Sequence, residues 1–248
     1  MIASTRSASI RIIGFGMGPQ HVTPEAADAL RSCDYVVAAA KSADDPLLAV
    51  RRQVCEEYGV ELVAVPDPER DRDPASTTAT AGYDQAVREW HAARVAAYRD
   101  VLEQRGGTAG FLVWGDPSLY DSTIRIVEQL GFDFDVIPGI SAPQLLAARH
   151  RIVLHEVGRP VHVTTARRLR EDIATGQTNL VVMLGSAPDL EGLEDWQVWY
   201  GANLGAPGEQ LLSGRLGELG EASLRVAREH ARAIDGWVMD LYLLRGPR

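Results

Sequence analysis

Short apolar runs at 10–14, 35–39, 62–65, 110–114 and 134–137 punctuate the first 150 residues, each too brief for a helix and each closed by glycine, proline or polar residues. Runs of that kind predict strands buried on both faces of a parallel sheet. The stretches between them carry helical spacing. Thr23-Pro24-Glu25 predicts a helix start, with threonine as N-cap, proline at the first helical position and an acid where the helix dipole favours one. Over 83–104, Tyr83, Val87, Trp90, Ala97, Val101 and Leu102 recur mostly at three- and four-residue steps or their sum, which predicts a helix packing one face on the sheet. Strand and helix in alternation predict an α/β domain over 1–155 with a mostly parallel five-stranded sheet and crossover helices.

The second half is richer in strand patterns, at 161–164, 180–184, 197–200, 210–212 and 237–244, with a helix over 222–233. These predict a smaller, mixed α/β domain over 156–248. No Gly/Ser linker separates the halves, so two packed domains with a ligand cleft between them are expected. The loop over 66–80 sets Pro66, Pro68 and Pro74 among charges, which bars helix and central strand. It reads equally as a lid or as a solvated connection.

Ligands of open parallel sheets gather outside the carboxyl ends of the strands. Two strand endings stand out: Trp114-Gly115-Asp116-Pro117-Ser118-Leu119-Tyr120-Asp121-Ser122-Thr123 and Pro138-Gly139-Ile140-Ser141-Ala142-Pro143. Together they point to one small-molecule site. The glycine cluster after the first strand, Gly14-Phe15-Gly16-Met17-Gly18-Pro19, fits a dinucleotide fingerprint poorly, because Pro19 stands where the last glycine belongs and offers no amide hydrogen. The second strand also ends in Ala39-Ala40-Lys41, without the acid that would hold a ribose. Asp116 reads either as a ligand-orienting carboxylate or as a turn former before proline, and one of Asp121 and Ser122 reads as a helix cap.

Composition narrows the partners. The chain has 248 residues, 46% of them apolar, and a formal charge of −9, which argues against a nucleic-acid binder. Cys33 and Cys55 lack companions at ligand spacing, so buried thiols are expected and neither a disulfide framework nor a metal site. Residues 1–9 carry no apolar signal core, and no run approaches the roughly 20 apolar residues of a membrane span. A cytoplasmic protein without membrane contact is expected. Against the acidic whole, Arg149 to Arg170 holds six arginines, three histidines and a single acid, Glu156, a net of six minus one or +5 with histidine neutral. Arginine forks suit carboxylates, so a substrate with several carboxyl groups is one reading and a solvated basic face the other.

The ordered set of the first glycine loop, Gly115-Asp116-Pro117 with Tyr120 after it, Pro138-Gly139-Ile140-Ser141, and Ala202-Asn203-Leu204-Gly205 resembles the tetrapyrrole methylases that use S-adenosylmethionine, over nearly the whole chain. The resemblance implies the two-domain α/β fold of that family and methyl transfer to a ring carbon of a tetrapyrrole of the cobalamin series, with S-adenosylhomocysteine as the cofactor product. It places Trp114, Gly115, Asp116, Leu119, Ser141, Ala142, Met183, Leu184, Ala202, Asn203 and Leu204 around the cofactor. Gly16, Met17, Arg149 and Arg151 are expected at the multi-carboxylate substrate. Where an acetyl group must also leave by attack of water, Tyr120, Asp121 and His150 are the candidate bases. A homodimer is implied as well. The chain departs from the family at Ala39-Ala40-Lys41, where related enzymes often have an acid, and at Met17, where proline is common. A methylase of the same fold acting on another ring carbon, a non-catalytic sensor or assembly protein that binds S-adenosylmethionine, and an NAD-dependent oxidoreductase are the other readings.

Overall fold

The computed structural model describes residues 8–42, 44–68, 80–185 and 189–247, with side chains of the third segment from 88 onward. The described chain divides into two compact units, Met1–Gly139 and Ile140–Arg248.

The first unit is built on strands β1 (Ser9–Gly14), β2 (Tyr35–Ala40), β3 (Glu61–Pro66), β4 (Thr108–Val113) and β5 (Asp133–Ile137), and helices α1 (Pro24–Arg31), α2 (Pro46–Tyr58), α3 (Thr80–Arg105) and α4 (Thr123–Leu130). The strands lie in the order β3-β2-β4-β1-β5, and every pairing is parallel. Period-two alternation gives the sheet two apolar faces. Ile10, Ile12, Tyr35, Val37, Phe111 and Val113 meet α3 and α4 in one core layer. Ile13, Val36 and Leu112 meet α1 and α2 in the other. Thr23 caps α1 as read, its Oγ1 accepting from the Ala26 amide at 3.1 Å, and Asp45 does the same for α2 from Leu47 and Leu48. Pro66 is tolerated because β3 is an edge strand. Trp114, expected inside the fourth strand, lies just beyond β4. Of the 66–80 loop, residues 69–79 lie outside the described residues.

The second unit holds α5 (Ala142–His150), β6 (His162–Thr165), α6 (Leu169–Ala174), β7 (Asn179–Met183), β8 (Gln197–Ala202), β9 (Gln210–Arg215), α7 (Leu216–Asp235) and β10 (Asp240–Arg245). Its sheet runs β6-β7-β10-β8-β9, with β6 parallel to β7 and the other pairs antiparallel. Leu180, Val182, Val198, Tyr200, Tyr242 and Leu244 face α6 and α7 in one core. Helix α5 packs on β8, β9 and β10, so the division between units falls before this helix, whereas the sequence pattern places it after residue 155. In the second unit two elements start three or more residues from their expected positions. The last strand begins at Asp240 rather than 237 because the Trp237 carbonyl and the Met239 amide are both bonded to the Asn203 side chain. Helix α7 starts six residues before 222, broken at Gly220, whose φ of 68° and ψ of 149° leave the helical region.

Candidate functional site

Strands β4, β1 and β5 are neighbours in the sheet and all parallel, so the loops that follow them emerge together at the carboxyl edge, where ligands of open parallel sheets gather. The backbone closes there to a degree only glycine permits. A Cβ on Gly14 would stand 2.7 Å from the Gly139 nitrogen and 2.9 Å from the Gly115 oxygen. A Cβ on Gly139 would stand 2.7 Å from the Gly14 carbonyl carbon and oxygen, and nearer still to the Gly115 oxygen. Gly115 has φ 65° and exchanges two bonds with Gly16, donating at 2.8 Å and accepting at 3.3 Å. Three strand ends thus form one glycine-lined cradle whose backbone a ligand can approach closely.

Asp116 fastens this cradle. Its Oδ2 accepts from the Gly139 amide at 3.0 Å, and its Oδ1 accepts from the Ser118 amide at 2.9 Å and from the Ser118 hydroxyl. Burial disfavours the charge, but these donors outweigh it and hold the carboxyl below its ordinary value. Trp114 stacks obliquely on Phe15 with ring centroids 4.7 Å apart. Leu119 is half-buried. Tyr120 is 46% exposed with φ 49°. Asp121, rather than Ser122, caps α4, its Oδ1 accepting from the Thr123 amide at 2.6 Å. Gly16 packs against His21, and Met17 is buried at 5% exposure, so neither turns a side chain outward.

In the second unit, Ser141 and Ala142 open α5 with a reciprocal capping box: the Ser141 amide donates to Gln144 Oε1 at 2.8 Å, and the Gln144 amide donates to Ser141 Oγ at 3.4 Å. His150 meets the Tyr200 carbonyl at 2.9 Å through Nε2. A carbonyl only accepts, so Nε2 carries the proton and Nδ1 of the neutral ring is the basic nitrogen. Arg149 Nε donates to both oxygens of Glu209, at 3.0 and 3.1 Å, and Glu209 also accepts from the Gly205 amide. Arg151 is exposed and ends α5 in the left-handed region at φ 56°.

Registers put Met183 and Gly201 on either side of Leu241, so Met183-Leu184 and Ala202-Asn203-Leu204 emerge at the same end of the second sheet. Asn203 is fully buried. Its carboxamide donates to Asp235 Oδ2 at 2.7 Å and the Trp237 carbonyl at 2.9 Å, and accepts from the Met239 amide at 2.8 Å. That side chain is a lock between the loop after β8 and the end of α7. Asp235, which the sequence did not single out, completes the lock by accepting from the Gly208 amide. Ala202 and Leu204 are buried as well, whereas Leu184 is 59% exposed at φ 54°. Among the described residues the non-glycine residues at positive φ are Tyr120, Arg151, Leu184 and Asn203. All four sit at expected site positions, and an exposed leucine in that conformation is a strained one.

The sequence reading missed Arg51. It lies on the buried face of α2, three residues after Leu48 and four before Cys55, both buried, and that spacing was the available signal. Its Nε donates to the Leu112 carbonyl at 3.2 Å and its Nη1 to the Leu47 carbonyl at 3.3 Å. Burial pulls the guanidinium below its ordinary value, with Asp45, Tyr98 and Asp121 opposing.

A parallel α/β unit with glycine-built strand ends, followed by a mixed α/β unit, defines a protein of two α/β units. The sequence profile of the Tetrapyrrole (Corrin/Porphyrin) Methylases matches residues 9–220, and the chain belongs to that family. It is 41% identical to "Precorrin-6A synthase [deacetylating]" from Sinorhizobium sp. over 98% of this chain and 97% of that protein. A crystal structure of a cobalamin synthesis related protein (CobF) from Corynebacterium diphtheriae superposes with TM-score 0.80 at 35% identity, over 97% of this chain and 99% of that one. Uroporphyrin-III C-methyl transferase from Thermus thermophilus, crystallised with S-adenosyl homocysteine, shares the fold with TM-score 0.58 at 17% identity, over 96% and 92% of the two chains.

Proposed function

We propose that this chain is an S-adenosylmethionine-dependent C-methyltransferase that converts precorrin-5 to precorrin-6A with release of acetate, in cobalamin biosynthesis. The observation that carries the reading is the 41% identity, across 98% of the chain, to a precorrin-6A synthase. The tetrapyrrole methylase family uses S-adenosylmethionine, and the residues at the strand ends fit such a group: Gly14, Gly115 and Gly139 pack backbone on backbone, so main-chain amides and carbonyls rather than side chains line that edge.

S-adenosylmethionine supplies, when bound, a methyl group already activated on a sulfonium. The protein's task is then alignment and exclusion of water. In the first unit Trp114, Gly115, Asp116 and Leu119 are the proposed cofactor residues, with Asp116 acting through the loop it fastens, since its oxygens already accept from Gly139 and Ser118. In the second unit the proposed residues are Ser141, Ala142, Met183, Leu184, Ala202, Asn203 and Leu204. Asn203 acts there by holding the backbone of its loop, its side chain being fully bonded within the protein. Gly16, Met17, Arg149 and Arg151 remain proposed substrate residues. Arg149 reaches a substrate carboxylate only by exchanging Glu209 for it.

Loss of the acetyl group needs a base for the attacking water. Asp121 has one carboxylate oxygen beyond the one capping α4, and His150 offers Nδ1 while Tyr200 fixes its ring. Tyr120 is 46% exposed on a backbone at φ 49°. These three are the proposed candidates. A homodimer and a cytoplasmic location belong to the same reading; among the described residues no helix is long and apolar enough to cross a membrane. Sedimentation of the purified protein checks the dimer.

Enzymatically prepared precorrin-5, incubated with the protein and methyl-labelled S-adenosylmethionine, is expected to yield labelled precorrin-6A and one acetate per methyl transferred. Methylation without acetate would place the chain with another corrinoid methylase. Cofactor binding without turnover would leave a sensor or assembly protein.

A further inference from the structure

Strands β2 and β4 pair only at Tyr35–Ala109 and Val36–Gly110, so toward their carboxyl ends the two strands splay apart. The opening is a crevice on the same edge of the first sheet as the glycine cradle. Arg51 reaches into it from α2, bonding the Leu112 carbonyl that β2 leaves free. Its guanidinium carbon lies 5.9 Å from the centre of the Trp114 ring.

The neighbouring cation is already neutralised. Arg94 forks onto Asp67 at 2.7 and 2.9 Å, with side-chain exposures of 16% and 7%, and lies 3.9 Å from the Trp90 ring centre. Arg51 differs, since only backbone carbonyls accept from it and no carboxylate among the described residues lies within ion-pair distance. The carboxylates that oppose its loss of charge are Asp45 and Asp121, which accept from the amides at two helix starts. Two of its five N–H bonds are engaged by Leu112 and Leu47, which leaves the Nη2 side of the fork without a described acceptor. A half-buried guanidinium costs desolvation that a facing anion would offset. Its planar fork is shaped for a carboxylate and its face for an aromatic ring, as at Trp114.

We infer that Arg51 anchors one side-chain carboxylate of the substrate in the crevice between β2 and β4, and so fixes the orientation of the macrocycle on the first unit. This rests on the proposed reaction. Arg51 is in this proposal a substrate-binding residue that transfers neither proton nor methyl.

Steady-state kinetics of wild type, Arg51→Gln and Arg51→Lys with precorrin-5, together with calorimetric titration by S-adenosylhomocysteine, tests it. Wild-type turnover is the control for the reaction itself, and without it the reading fails and the anchor with it. Given turnover, Arg51→Gln should raise KM for the tetrapyrrole about tenfold, the loss of one charge-assisted pair, with affinity for S-adenosylhomocysteine and KM for S-adenosylmethionine changed less than twofold. An unchanged tetrapyrrole KM overturns the anchor, and so does an equal rise in both KM values, which marks a merely structural role. Should Arg51→Gln fail to fold, Arg51→Lys decides: lysine keeps charge but cannot fork, so the tetrapyrrole KM should rise about threefold, and a wild-type value overturns the anchor.

Discussion

The strand ends of the two units are built by opposite means. In the first, Gly14, Gly115 and Gly139 bring three backbones into contact and a single side chain, Asp116, fastens them. In the second, the loop after β8 is held by side chains, Asn203 and Asp235, bonded to backbone groups more than 25 residues away. A cradle made by removing side chains leaves backbone for a ligand. A lock made by adding them consumes the polar groups it brings. Asn203 and Asp116 both look like ligand contacts in the sequence and are both spent inside the protein, whereas Arg51, on the buried face of a helix, keeps donors to spare.

The contrast breaks most severely at Gly139. Gly139→Ala forces a Cβ against the backbone of Gly14 and Gly115, and should cost about 4 kcal/mol of stability and abolish S-adenosylhomocysteine binding, read by denaturant melts and calorimetry. Asn203→Ala leaves the Trp237 carbonyl and Met239 amide without their buried partner, a loss of about 3 kcal/mol. Its folded fraction should bind S-adenosylhomocysteine about tenfold more weakly, because the loop loses its hold rather than a ligand contact. A hundredfold loss of affinity without loss of stability would reverse the roles given to lock and cradle.

Asp116→Ala should cost about 2 kcal/mol and weaken S-adenosylhomocysteine binding by loosening the loop; full affinity would remove Asp116 from the site. Its charged form is the bonded form, so the folded carboxyl titrates below its ordinary 3.8. The stabilisation is complete above that value and fades as the pH falls through the lower, folded one. Asp116→Asn should therefore shrink the acid limb of the stability profile without erasing it, because Asp172, bonded by Thr164 and His162, is also held low. An acid limb identical to wild type would contradict the fastening role. The smallest effect is expected at Leu184, where glycine relieves the left-handed backbone at φ 54°. Leu184→Gly should raise the melting free energy by about 1 kcal/mol while weakening cofactor binding. A gain in stability at no cost in binding would show that the strain serves nothing in the site.

What the sequence made legible follows the same division. Strands β1, β2 and β4 were readable because strands covered on both faces need continuous apolar runs, whereas the edge strands β3 and β5, expected to be buried likewise, stay largely exposed; the glycines and Asp116 at the strand ends were readable as breaks. The start of β10 was not, because Trp237-Val238-Met239 alternates like a strand while its backbone groups go to Asn203, a partner distant in the chain. Gly220 hides in the same way, since one glycine among helix formers gives no sign that it will turn to positive φ. The arginine-rich stretch left carboxylate binding and a solvated basic face open, and a charge count cannot see Glu209 paired with Arg149 across the fold. Arg51 was overlooked because Arg51-Arg52 reads as a polar face, although its spacing from Leu48 and Cys55 places it inward.

Calorimetric titration of the wild-type protein with S-adenosylhomocysteine, with NAD as the control ligand, tests the central claim that the glycine cradle belongs to a methyltransferase cofactor site. The account predicts saturable binding of S-adenosylhomocysteine, lost in Gly139→Ala, and no heat with NAD. Binding of NAD, or S-adenosylhomocysteine binding that survives Gly139→Ala unchanged, would contradict it.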